Sequence, residues 1–173
     1  MADTGSVLTY MDNGVQIESG PSDDVHLGYL GHLGAEWRLL HSVVLADGSG
    51  DSDHLLVGPP GVVALTTRRR AGATAWIGAR SVTIDGQHTT ILHNARSHAG
   101  RSAGLLAMAS GRKVVVTPVV VLAGLEGFNV QHMPADVHVT TDRRLRGWLA
   151  SLPVRLEADE VEAVVVASSR ISR

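Results

Sequence analysis

An acid, a threonine and an arginine carry the first chemical signal in this chain. They lie in Asp51-Ser52-Asp53-His54-Leu55-Leu56-Val57-Gly58-Pro59-Pro60-Gly61-Val62-Val63-Ala64-Leu65-Thr66-Thr67-Arg68. Two prolines and two glycines cannot continue a central strand, so Gly58 to Gly61 reads as a tight turn between two strands. In such a hairpin the end of the second strand returns beside the start of the first. Thr66 and Arg68 are two apart and share a face of their strand. Asp53 can meet both if the faces agree, whereas a one-residue slip in register separates them. Such a meeting would bring a carboxylate, a hydroxyl and a guanidinium together. The plainer alternative is that Asp53 caps a turn with Asp51 and Ser52.

Other polar clusters extend or limit that reading. Arg68-Arg69-Arg70 is the densest positive run. It is either a phosphate grip at the mouth of a site or a solvated loop that protects a strand end. Asn94 and His98 are four apart, and Arg101 follows three later, so the three share a helix face. That stripe either lines a phosphate groove or simply faces water. Glu36, beside Trp37, is a weaker candidate metal ligand in a loop. His93 and His98 are five apart, about 140° around a helix, and cannot chelate one ion together. No HxxxH or HExxH spacing supports zinc. Gly58-Pro59-Pro60-Gly61 lacks the Gly-Lys-Ser/Thr of a phosphate-binding loop, and no Gly-x-Ser-x-Gly elbow marks a serine nucleophile.

The elements that must position these residues follow from periodicity. Ser22-Asp23-Asp24 reads as a helix start, with Leu27, Leu30 and Leu33 on one face and Gly28, Gly31 and Gly34 weakening it. Strands are predicted over Trp37 to Leu45, Asp53 to Val57, Val62 to Thr67, Ala75 to Ile77 and Val82 to Ile84, with Asp85-Gly86 a hairpin turn. The period then changes. Ile91, Ala95, Ala99, Ala103, Leu106 and Met108 suit a long helix from Thr90 to Ser110. Val114 to Leu122 is a β-branched run that reads as a buried strand, with Pro118 at a bend or boundary. Val137 to Thr140 is a short strand. Asp142 to Leu152 and Ala158 to Ser169 are closing helices, the first capped by Thr141 or Asp142. Residues 1–20 form either a small hairpin or an arm. This order predicts a mixed α/β sheet with helices on its faces.

Composition narrows the classes. The chain has 173 residues, 44% apolar and 18% charged, which fits one globular domain with its own core. It has no Cys, which excludes disulfides, thiolate metal sites and a Cys nucleophile. The net charge of −2 excludes a globally basic nucleic-acid binder while allowing a local basic patch. Lys113 is the sole lysine among 15 basic residues. Neither a signal peptide nor an apolar run of membrane length is evident, so a cytoplasmic location with no membrane partner is expected.

The segments "SDHLLVGPPGVVAL", "TTRRR", "GATAWIGARSVTIDGQ" and "LHNARSHAGRSAGLL" resemble the nuclease-related domain (NERD) family, over roughly residues 21 to 165. That family is a branch of the PD-(D/E)xK superfamily. The resemblance implies an α/β, restriction-endonuclease-like mixed β-sheet flanked by helices, with the domain over 21–173. It implies nucleic acid, DNA foremost, as partner and Mg²⁺ as cofactor of an active member. Asp53 matches the strand-start Asp and metal ligand. An acid, or Asn in some members, is implied where this chain has Thr66, and Lys where it has Arg68. Asp23 is nearest to the implied helix acid, and Asn94 stands where a Gln is implied.

The departures change the expected chemistry. Thr66 offers a neutral hydroxyl, a poorer Mg²⁺ ligand than a carboxylate. A guanidinium can clamp phosphate but does not give up its proton to act as a base. The expectation is therefore a nuclease scaffold with a weakened or lost site that still contacts nucleic acid. An active nuclease using Asp53 and a protein-interaction module, with a protein partner, are the alternatives.

Overall fold

The computed structural model describes residues 33–44 and 51–171. The arm or hairpin expected over 1–20, the helix start at Ser22 and the candidate Asp23 lie outside the described residues. Two sheets and three helices make up the rest. Strands β1 (Arg38–Val44), β2 (Asp51–Gly58) and β3 (Gly61–Arg69) precede β4 (Thr74–Ile77), β5 (Val82–Ile84) and β6 (Gln87–His88). Helix α1 (Ile91–Ser110) leads to β7 (Val116–Ala123), β8 (Gly127–Val130) and β9 (His138–Thr141). Helices α2 (Asp142–Ser151) and α3 (Ala158–Ile171) close the described fold. This mixed α/β architecture is consistent with a restriction-endonuclease-like fold.

The first sheet has the order β1-β2-β3-β7-β9. β1, β2 and β3 run antiparallel, and β7 and β9 add in parallel. Gly58 pairs with Gly61, so Pro59 and Pro60 form a two-residue loop where no ladder donor is needed. Pro118 pairs with Ala64 on one side, and β9 joins the other side only from Val119 onward. Its missing N–H therefore falls where β7 is not yet a central strand.

The second sheet, β6-β5-β4-β8, divides strands that the sequence had placed in a single sheet. β8 was not predicted; it pairs in parallel with β4. Asp85 (φ 50°) and Gly86 (φ 79°) make the expected turn between β5 and β6, both in the left-handed region a two-residue hairpin demands.

Small side chains let α1 pack closely. Ile91, Leu92, Ala95, His98, Ala99, Ser102 and Leu106 are its buried positions, spaced three and four apart. Ile91, Leu92 and Ala95 meet Ala75, Ile77, Val82 and Ile84 of the second sheet, Val120, Leu122 and Val139 of the first, and Val137 just before β9. Farther along, Ala99 and Leu106 join Leu55, Val57, Val62, Ala64 and Val161. Met108 does not join this face. It lies about 200° around the helix from Leu106 and is 84% exposed. α2 covers the opposite face of the first sheet, where Leu145 and Leu149 meet Leu56, Val63, Leu65, Val119 and Val121. Thr141 occupies the α2 N-cap in extended geometry without a side-chain cap bond, and Asp142 supplies the acid of the first turn.

Candidate functional site

Register decides which polar groups converge. Asp53 pairs with Thr66, and Asp51 with Arg68. Alternation then puts all four on the sheet face that α1 covers. Thr66 Oγ1 donates to Asp53 Oδ1 at 3.1 Å. His98, from α1, brings Nδ1 to 3.6 Å from the same carboxylate oxygen. Asp53, Thr66, Arg68 and His98 are all buried, although part of this sheet is lined with aliphatic side chains. A carboxylate in such a place needs donors around it.

Arg68 has a partner that the sequence reading had not assigned to it. Its Nε donates to Asp51 Oδ1 at 2.6 Å and its Nη2 to Asp51 Oδ2 at 2.8 Å. This is the two-pronged arginine–carboxylate geometry. Side-chain exposure is 9% for Arg68 and 0% for Asp51. Two of the guanidinium's donors thus serve an internal carboxylate, not a phosphate at the mouth of the site. Asp51 had been read only as a possible turn residue. The signal was available: the register that joins Asp53 to Thr66 joins Asp51 to Arg68 two residues farther from the turn.

The remaining candidates spread outward. Arg69 and Arg70 are exposed at the end of β3 and just beyond it. On α1, Asn94 is half-buried, His98 is buried and Arg101 is exposed, so the stripe runs from the sheet out to solvent. His54, next to Asp53 in sequence, alternates to the other face, where its Nε2 lies 3.1 Å from Ser52 Oγ. Glu36 is exposed in the turn before β1.

The comparisons with known proteins agree with this geometry in one respect. The profile of a family described as "Nuclease-related domain" matches residues 25–123, from before β1 to the end of β7. The chain belongs to the nuclease-related domain family. The matched segment includes β2, β3 and α1, and hence every described residue of the Asp51–Asp53–Thr66–Arg68–His98 cluster. Membership points to a nuclease-related function and to interaction with nucleic acid. No curated protein and no solved structure matches the chain. No helix among the described residues is long and apolar enough to cross a membrane.

Nuclease-related domains are typically metal-dependent. Mg²⁺ takes hard oxygen ligands in octahedral geometry, usually one or two carboxylates completed by phosphate and water. Here Asp53 is a carboxylate, Thr66 a neutral hydroxyl and His98 an imidazole, while both oxygens of Asp51 accept from Arg68. Among the described residues no group of three or more His, Cys, Asp or Glu could hold a metal ion. Among the described residues this donor set does not make up a two-carboxylate Mg²⁺ centre.

Proposed function

We propose that this nuclease-related domain contacts nucleic acid, DNA foremost, through the surface around a weakened or lost phosphodiesterase site. The observation that carries the reading is the bidentate Arg68–Asp51 pair. It commits the cation at the lysine-matched position to a neighbouring carboxylate. Thr66 adds a second reason: its hydroxyl brings no negative charge to attract a divalent cation. Asp53 stands where the family resemblance implies a metal ligand, and Asp23 is its proposed carboxylate complement. Phosphate contact falls to Arg69 and Arg70 at the end of β3 and to Arg101 on α1, all exposed, with the half-buried Asn94 also on α1. His98 acts from within, facing Asp53.

The test compares wild type, Asp53→Ala and Thr66→Asp on single-stranded DNA, double-stranded DNA and RNA, in Mg²⁺ and then Mn²⁺. The expected outcome is binding without cleavage by wild type, and cleavage appearing in Thr66→Asp as the acid implied at that strand position returns. Cleavage by wild type that disappears in Asp53→Ala would instead establish an active nuclease. Absence of binding to all three nucleic acids would reject the reading altogether.

A further inference from the structure

The second sheet turns one face inward and the other to solvent. Ala75, Ile77, Val82 and Ile84 are buried against α1 and the first sheet. The alternate positions point the other way. Register aligns four of these in one row across all four strands. His88 pairs with Thr83, Thr83 with Trp76, and Trp76 with Asn129. Directly paired residues project on the same side of a sheet. Trp76 stands within this row with 47% of its surface exposed. His88 is also exposed, and Thr83 and Asn129 are half-buried. The other two tryptophans have evident packing roles: Trp37 lies against the core under α2, and Trp148 stacks on His138.

We propose that this outer face is a stacking platform for single-stranded nucleic acid. One base stacks on the Trp76 indole. The Thr83 hydroxyl, the His88 imidazole and the Asn129 amide oxygen bond to base edges or to the backbone, while Asn129 Nδ2 donates to the Ala75 carbonyl at 3.5 Å. This deepens the nucleic-acid reading above, on which it rests, by naming strandedness and a second contact surface.

Three observations favour this occupant. An exposed indole offers the flat apolar face on which any base can stack, whereas a duplex hides its base faces within its own stack. The flanking side chains supply both donors and acceptors. A cation stands at one end of the row's central strand, where Arg80 is exposed in the turn after β4, while Glu126 is exposed at the other end, its N–H bonded to the Ala73 carbonyl. The row itself holds no carboxylate. Asp85, exposed nearby, accepts from the Thr74 N–H at 2.9 Å.

The experiment measures binding of the full chain to fluorescein-labelled oligothymidylate and to a labelled duplex of equal length. Wild type, Trp76→Ala and Trp76→Phe are compared, and urea unfolding verifies that each variant is folded. Trp76→Ala is expected to bind the single strand at least about five-fold more weakly, with duplex affinity unchanged. Trp76→Phe, which keeps a ring, is expected to lose less. Wild-type tryptophan fluorescence should be quenched by the single strand, and that quenching should shrink in Trp76→Ala. Unchanged single-strand affinity in folded Trp76→Ala would overturn the platform and leave the nucleic-acid reading standing. An equal loss on duplex would overturn the assignment to single strands. No binding of either probe by wild type would overturn both readings.

Discussion

Arg68 and Asp51 set the energetics of the site as well as its chemistry. Taking both charges out of water is costly, and their mutual attraction roughly offsets that cost when the geometry is good. Removing Arg68 takes two charge-assisted hydrogen bonds from the fully buried Asp51 carboxylate. Arg68→Ala is therefore expected to lower the unfolding free energy by about 3–5 kcal/mol, read from urea denaturation. Replacing both residues with apolar ones of similar volume, as in Asp51→Leu with Arg68→Met, should restore most of that stability. A small loss in Arg68→Ala would mean that Asp51 finds another donor. The sequence allowed Asp53 and Thr66 to meet but left the register open, and the pairing of Gly58 with Gly61 fixes it. The grip of Asp51 on Arg68 was not read, although the same register implies the pairing. The nearness of His98 to Asp53 needed the packing of α1, which no local pattern supplies.

At the scale of elements, the long helix and the main strands follow from periodicity, while their partners do not. The division into two sheets depends on which strands pair, and strand sequences do not encode their neighbours. β8 escaped because Gly127-Phe128-Asn129-Val130 is short, begins with glycine and shows no clean alternation. A local packing contact makes a further element testable. His138 of β9 stacks on Trp148 of α2, with ring centroids 3.9 Å apart and planes 7° from parallel. Burial holds the His138 imidazole below its ordinary pKa of 6.5. The neutral ring is thus favoured in the fold, and the unfolded chain takes up the proton first as pH falls. The contribution of this ring is fully present above about pH 6.5 and is lost on acidification toward the folded value. His138→Phe keeps an aromatic ring on Trp148 but cannot titrate. Its melting temperature is expected to fall less than that of wild type between pH 7.5 and pH 5.5, about the ordinary histidine range. Equal falls would assign the acid sensitivity to other groups.

Across the whole molecule, a net charge of −2 means that nucleic-acid binding must come from local charge. Arg69 and Arg70 are exposed at the end of β3, and Arg101 is exposed on α1. Arg68 is not counted with them because two of its donors bond Asp51. If these three arginines each neutralise one phosphate, the log of duplex affinity should fall against the log of salt with a slope of about −3. Reversing Arg69 and Arg70 to Glu should weaken binding at low salt and flatten that slope by about two. The change should be similar for different duplex sequences, because phosphate contacts carry no direct base information. Trp76→Ala predicts a different signature: weaker binding of single strands with the salt slope nearly unchanged, since an uncharged ring releases no counterions. The two variants thus separate the charged surface from the stacking surface. A slope near zero in wild type would remove phosphate contact as the basis of binding and favour a packed protein interface on the same fold.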